Sequence, residues 1–279
     1  IFPAATASSD NLRFGLSEID SDILVRGNPR AFSKFSELNS PEFRIHTAQS
    51  VSGAADLFRA AIELRPNYPD AHAWLGWCYY WRYREMGFGE ADRVAALRHA
   101  RTASSEGVGD ANALASCAPL IVWLAQDYAA AASAIERAIS LNAASAVAHF
   151  HGAMVYAYSG RPLQAIAHAN RAMRLSPFDT LTCTAYEALG LAAVDEGRYE
   201  DASTFFAKAI SANAKIGLYH IAHAAALELA GRREQAEQAL QRGLLTNPHF
   251  SVGAVFKFGL NSGTAKKLAD SAHRVGLPE

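Results

Sequence analysis

Ala165-Ile166-Ala167-His168-Ala169-Asn170-Arg171-Ala172-Met173-Arg174-Leu175-Ser176-Pro177 carries the pattern that decides the fold. A small residue is followed by a second small residue seven positions on, and a proline stands five positions after that. The phrase recurs as Ala131/Ala138/Ala143, Ala202/Ala209/Ala214 and Ala236/Gly243/Pro248, with alanine twice in place of proline. The second small residue advances by 34, then 37, then 34 residues. A period of that length is the mark of a repeated helix–turn–helix unit. Each such unit buries its apolar faces only against its neighbours. The sequence therefore predicts an all-α, right-handed superhelical solenoid of helix–turn–helix hairpins with terminal capping helices.

The register extends in both directions. With Ala61 as the second small residue, Ala54, Phe58 and Pro66 fall where the phrase requires them, and Leu75-Gly76 opens the next unit. Similar steps reach Ala153 and Tyr156, Leu189-Gly190, Ala224 and Phe258. Small residues are needed where two helices cross closely, because only Gly, Ala or Ser lets backbones approach to the short end of the usual interaxial distance. Aromatic residues such as Tyr156, Tyr199 and Phe206 fill the space between crossings. Gly160-Arg161, Gly197-Arg198 and Gly231-Arg232 suit left-handed residues that end a first helix, and Pro66, Pro177 and Pro248 stop a second one.

The tandem pattern resembles tetratricopeptide repeats over residues 52–258. Ahead of it, residues 1–15 read as a leader and 16–51 as a non-repeat helical segment. Residues 259–279 read as a C-terminal capping helix, from about Thr264 to Val275, with a short tail. Two departures stand out. About eight extra residues around Trp81–Phe88 stretch the first full unit, and Pro119 sits where a small residue is expected, predicting a kink near Asn112–Leu124. A narrower likeness rests on Ala55-Asp56-Leu57-Phe58-Arg59-Ala60-Ala61-Ile62, Met86-Gly87-Phe88-Gly89-Glu90-Ala91-Asp92, Arg174-Leu175-Ser176-Pro177 and Gly276-Leu277-Pro278-Glu279. These are similar to the C-terminal repeat regions of bacterial class III adenylate/guanylate cyclases and related winged-helix regulators. That resemblance implies a regulatory segment cut from a larger protein, with a native C-terminus and no catalytic residue of its own.

Composition narrows the function. The 279 residues are 50% hydrophobic and only 19% charged, with a formal net charge of −1, so no broad attraction for nucleic acid or acidic lipid is expected. Cys78, Cys117 and Cys183 stand far apart and form no CxxC pair, which fits reduced packing residues of a cytoplasmic protein. No run of 18 apolar residues marks a membrane span.

Repeat geometry turns the first helix of each hairpin inward. The inner face then presents Trp77, Tyr80 and Trp81, followed by Leu120 and Trp123, then Phe150, Met154 and Tyr158. Further on it presents Glu187, Asp195 and Glu228. These eleven residues are the candidate partner groove, aromatic in its first half and acidic in its second. Exposed Trp and Tyr bury large areas at low entropic cost and so suit a protein or peptide partner, including an upstream domain of the same protein. The alternative is that the chain fills the rings itself, through residues 1–50 in the groove or through a tight superhelix. His149, His151, His220 and His223 lack a completing carboxylate or thiol, so no metal or cofactor is expected. No GxSxG, GxxxxGK[ST], HExxH or Gly-rich loop after a strand is present. The sequence thus points to a non-catalytic interaction scaffold. Two alternatives are a dimerisation device for an upstream domain and a small-molecule sensor using the aromatic half of the groove.

Overall fold

The computed structural model describes residues 48–85, 89–179, 181–248 and 250–279. The expected leader, the front helices and the reading that lays residues 1–50 in the groove fall on residues 1–47, outside this range. Among the described residues all regular structure is helical. Helix α1 (Ala48–Leu64) precedes five hairpins: α2 (Pro69–Glu85) with α3 (Glu90–Glu106), α4 (Ala111–Ala125) with α5 (Tyr128–Leu141), α6 (Ala146–Tyr158) with α7 (Pro162–Leu175), α8 (Thr182–Asp195) with α9 (Tyr199–Ala212), and α10 (Gly217–Leu229) with α11 (Arg233–Thr246). A short α12 (Val252–Val255), a 3₁₀ turn (Phe256–Phe258) and α13 (Ser262–Arg274) complete the chain. The architecture is an all-α solenoid of helix–turn–helix repeats with terminal helices, as the 34-residue phrase predicts.

The small residues sit at the crossings. Ala131, Ala138, Ala165, Ala172, Ala202, Ala209 and Ala236 are wholly buried. At Gly190 a Cβ would stand 2.7 Å from the Phe206 ring, and at Gly243 it would stand 2.8 Å from Ile221 Cδ1. Those separations are shorter than van der Waals contact, so the aromatic and aliphatic neighbours occupy the space that glycine leaves.

The turns within hairpins share one mechanism. Gly160, Gly197 and Gly231 have φ of 70°, 74° and 77°. Each lets the next residue's N–H reach back to a carbonyl of the helix just ended: Arg161 to Tyr156 at 2.9 Å, Arg198 to Ala193 and Arg232 to Leu227 at 2.8 Å. This closes otherwise orphaned carbonyls. Arg161 lies over the Tyr156 ring, and the arginines of the other two turns pair with acids. Arg198 meets Glu196 and Asp201, Arg232 meets Glu200, and Arg233 meets Glu228 and Glu237.

The extra residues of the first unit are absorbed as helix. Both α2 and α3 have 17 residues, whereas α6 has 13 and α7 has 14. Inner helices α2, α4, α6 and α8 pack in series, each along its predecessor. Helix α10 leaves that row. It packs on α9 and α11, and its inner side is taken by α13.

Candidate functional site

The aromatic end of the inner face is organised by Pro119. A proline has no N–H to return to the carbonyl four residues earlier, so the Ala115 carbonyl loses its helical partner. His151 on α6 supplies one, its Nδ1 lying 2.9 Å from Ala115 O, and Trp77 on α2 donates its Nε1–H to the neighbouring Ser116 O at 2.9 Å. The two rings stack at 6.0 Å between centroids. The interior proline is thus tolerated because two flanking inner helices replace what it removes. His151 is fully enclosed, and burial depresses its pKa to about 4. Burial thus keeps it neutral at physiological pH, although the hydrogen bond to the Ala115 carbonyl opposes the shift.

Around this point the rings form one cluster. Trp77 meets Trp123 edge-on at 5.3 Å, Tyr80 stacks on Trp123 at 4.8 Å, and Trp123 lies 5.9 Å from Tyr158. Trp81 is 6.4 Å from Trp77, with the Arg84 guanidinium 4.3 Å above its ring. Trp77, Trp81 and Trp123 keep part of their surface in solvent. Tyr80, Leu120, Phe150, Met154 and Tyr158 are buried, with Leu120 and Phe150 at 0% exposure. Those last two side chains present nothing to a partner.

Glu187 lies at the middle of the array on α8, and only 4% of its surface is exposed. The Tyr158 hydroxyl donates to its Oε1 at 2.6 Å, and Tyr219 on α10 supplies a second hydrogen bond. Burial raises the Glu187 pKa to about 7, opposed by those bonds and by the Arg84 charge. It also pushes both tyrosines well above the usual phenol range. The carboxyl ties α6, α8 and α10 together. The sequence signal for it was an acid at an inward position within the apolar run Ala185–Val194.

Asp195 and Glu228 meet the C-terminal segment. The Thr264 hydroxyl donates to Asp195 Oδ1, whose other oxygen is buried without a hydrogen-bond partner, and burial raises the Asp195 pKa. Arg274 reaches Glu228 at 3.2 Å, and Arg233 donates to the Arg274 carbonyl at 2.8 Å. Asn261 N–H donates to the Tyr158 carbonyl at 2.8 Å, and Lys267 Nζ lies 3.5 Å from the Val194 carbonyl. Gly259, with φ of 74°, rests on α4. A Cβ there would fall 2.5 Å from both Trp123 Cα and Val122 O, and Tyr128 donates to the Gly259 carbonyl at 3.4 Å. Residues 259–274 therefore cross the carboxyl ends of α4, α6, α8 and α10 in turn, and Asn261 supplies a donor to the Tyr158 carbonyl at the end of α6. The helix expected over Thr264–Val275 is Ser262–Arg274, and it lies along this path. Its buried apolar residues Ala265, Leu268, Ala269 and Ala272 fall on one stripe, which was legible in the sequence, whereas the path was not.

Histidine pairs recur at equivalent positions of two hairpins. His72 Nε2 faces the Pro66 carbonyl at 3.2 Å and its Nδ1 faces His99 Nδ1 at 2.9 Å. His149 faces Ala143 at 3.3 Å and His168 at 3.0 Å in the same way. Donation from Nε2 leaves Nδ1 of His72 and His149 as the acceptor, so His99 and His168 are the Nδ1–H tautomers. Burial, then the partner's like charge, lowers the pKa of His99 and His168 to about 4. Among the described residues no three His, Cys, Asp or Glu side chains gather as a metal site, and no helix is long and apolar enough to cross a membrane. Cys78 and Cys117 are buried, which pushes both thiols up to about 12, and Cys183 is buried as well.

These features define an all-α solenoid of helix–turn–helix repeats of tetratricopeptide-like form. One unit, residues 184–216, matches the tetratricopeptide repeat family. The chain is similar in fold to a chain of the APC/C hetero-tetramer Cut9–Hcn1, with 16% identity and a TM-score of 0.61 over 90% of this chain. It spans 45% of that chain's length. A second similar structure is PilW, a type IV pilus biogenesis factor, with 16% identity and a TM-score of 0.52 over 74% of this chain and 90% of PilW. No curated protein sequence matches.

Proposed function

We propose that the chain is a non-catalytic scaffold whose inner face receives a protein or peptide partner. The observation that carries this reading is the group of part-exposed tryptophans, Trp77, Trp81 and Trp123, on two adjacent inner helices. Aromatic anchors set in a well-packed surround are the residues that dominate interface energetics. Tyr80, Leu120, Phe150, Met154 and Tyr158 hold the anchors in place. At the farther end Glu187 is enclosed, and the acids nearer the surface, Asp195 and Glu228, are engaged by the C-terminal segment. A repeat array of this kind offers a long concave surface to an extended or helical ligand. The test is retention of a partner from a lysate of the source cells by wild-type chain and by Trp123→Ala, with both melting curves recorded. At least a tenfold loss of retained partner by a folded variant is expected. Equal retention overturns the assignment of the aromatic end.

The cellular setting we infer is that of a cytoplasmic regulatory region of a bacterial nucleotide cyclase or winged-helix regulator. Its support is the likeness at Ala55–Ile62, Met86–Asp92, Arg174–Pro177 and Gly276–Glu279. Reading the gene ahead of the codon for Ile1 tests it, since a cyclase or winged-helix domain is expected there and an unrelated domain overturns it.

A further inference from the structure

Inner helices α2, α4, α6 and α8 pack in series, but the row opens between α8 and α10, and α13 takes the inner side of α10. The contact is that of a bound amphipathic helix. Ala265, Leu268, Ala269 and Ala272 are buried on one stripe at the spacing of successive turns, while Lys266, Asp270, His273 and Arg274 stay exposed. Three of the four apolar inward residues are alanines, and Thr264 and Ser271 are buried beside them, so the helix sits close to the array yet contributes little apolar area for its length. The remaining hold lies at the ends, where Leu260, Val275 and Leu277 are buried and polar groups pair. Asn261 and Thr264 engage Tyr158 and Asp195 near the start, and Arg274 engages Glu228 near the finish. The segment carries its own N-cap, because the Asn261 side chain accepts from Thr264 N–H at 3.1 Å.

We propose that α13 is an exchangeable resident ligand of a helix-binding groove between α8 and α10. The external partner of that groove is an amphipathic helix of the same chemistry: a hydroxyl near its amino end to meet Asp195, a stripe of small apolar residues, and a cation near its carboxyl end to meet Glu228. Exchange would open the acidic half of the inner face and lift residues 259–261 from Trp123 and Tyr158, joining the acidic half to the aromatic end. This rests on reading the inner face as the partner-binding surface, and it adds that access is controlled from within the chain.

The probe is a fluorescent peptide of residues 260–279 added in trans to the full chain. Leu268→Asp together with Ala272→Asp weakens the resident helix and leaves α8 and α10 untouched. The variant chain is expected to bind the wild-type peptide at least tenfold more tightly than the wild-type chain does. Equal or weaker binding by a folded variant overturns the proposal. Hydrogen exchange on the wild-type chain covers a variant that fails to fold. Amides of 264–274 should exchange at least tenfold faster than those of 220–228, as a separately opening unit does, and exchange of both segments in one step overturns the proposal. Neither readout uses a cellular partner. Failure at Trp123 with successful peptide exchange would therefore sink the proposed anchors alone, and the converse would sink exchange alone.

Discussion

The front of the array, α2 to α4, and its rear, α6 to α11, solve the same packing problem by different means. The rear follows the repeat closely. Its turns are closed by left-handed glycines, its crossings by alanine or glycine, and its space is filled by single rings such as Phe206. The front breaks those rules. Gln126, with φ of 54°, stands where a glycine would be expected, Pro119 interrupts a buried helix, and four aromatic side chains, Trp77, Tyr80, Trp81 and Trp123, pack on one another. Small-residue packing in the rear leaves the inner face shallow enough for a helix to lie on it. Ring packing in the front leaves tryptophan edges at the surface. The contrast is between a surface that holds a segment of its own chain and one that presents anchors.

The sharpest way to break this comparison is to remove a ring from the rear. Phe206 is wholly buried against Gly190, so Phe206→Ala should cost ~3–5 kcal/mol, measured by urea unfolding. Gly190→Ala alone should cost ~1–3 kcal/mol by overpacking. Combined with Phe206→Leu, its cost should shrink, because the smaller side chain vacates the space a Cβ needs. Strict additivity of the two changes would show that the glycine is not there for the ring.

In the front, His151→Leu should cost ~1–3 kcal/mol by leaving the Ala115 carbonyl buried and unpaired. Pro119→Ala restores an N–H to the helix and should remove most of that penalty in a double-mutant cycle. An unchanged penalty in the Pro119→Ala background would mean that the histidine is held by packing alone.

Periodicity made the rear legible. Spacing alone locates its crossings, turns and stops, because each depends on one residue type at one repeat position. It could not locate the partners of Pro119, since His151 and Trp77 lie 36 and 39 residues from the carbonyls they serve. Nor could it separate Leu120 and Phe150 from Trp77 and Trp123. All four occupy inward positions, and only the packed geometry decides which side chains are covered. The stripe of α13 was visible for the same reason as the rear, whereas its route across four helix ends depends on superhelix curvature, which no single repeat encodes.

Titration separates a third point of contrast. Glu187 holds its proton up to about pH 7 in the folded chain, against an ordinary value of 4.5. It is therefore protonated in both states at low pH, and its contribution to stability falls as pH rises from 4.5 to 7. Glu187→Gln should make the chain more stable relative to wild type by ~1–3 kcal/mol at pH 8 than at pH 4. His99, His151, His168 and His223 run the other way, with pKa values lowered from 6.5 to about 4 by burial. Their contribution is complete above pH 6.5 and is lost on acidification towards pH 4. The windows overlap, and four histidines outweigh one carboxyl, so wild-type stability should rise to a maximum near pH 6.5 and fall slightly towards pH 7; thermal melts at pH 4, 6.5 and 8 check both signs. A Glu187→Gln profile parallel to that of the wild type would show that the carboxyl is ionised in place.

The smallest expected effect concerns the polar hold on α13. Arg274 is half-exposed, and Glu228 keeps Arg233 as a second partner at 3.8 Å when Arg274 is removed. An ion pair of that kind contributes little net stability, because solvent screens it and long side chains lose freedom in forming it. Arg274→Ala should cost only ~0.2–1 kcal/mol in global unfolding, and the difference should shrink in 1 M salt. Its effect on local opening should nevertheless be visible. Because the pair joins α13 to α10 and to no front helix, hydrogen exchange should quicken over 264–274 and remain unchanged over 113–124. Equal acceleration in both regions would mean that the two ends of the array open together, and the contrast between them would fail at the level of dynamics.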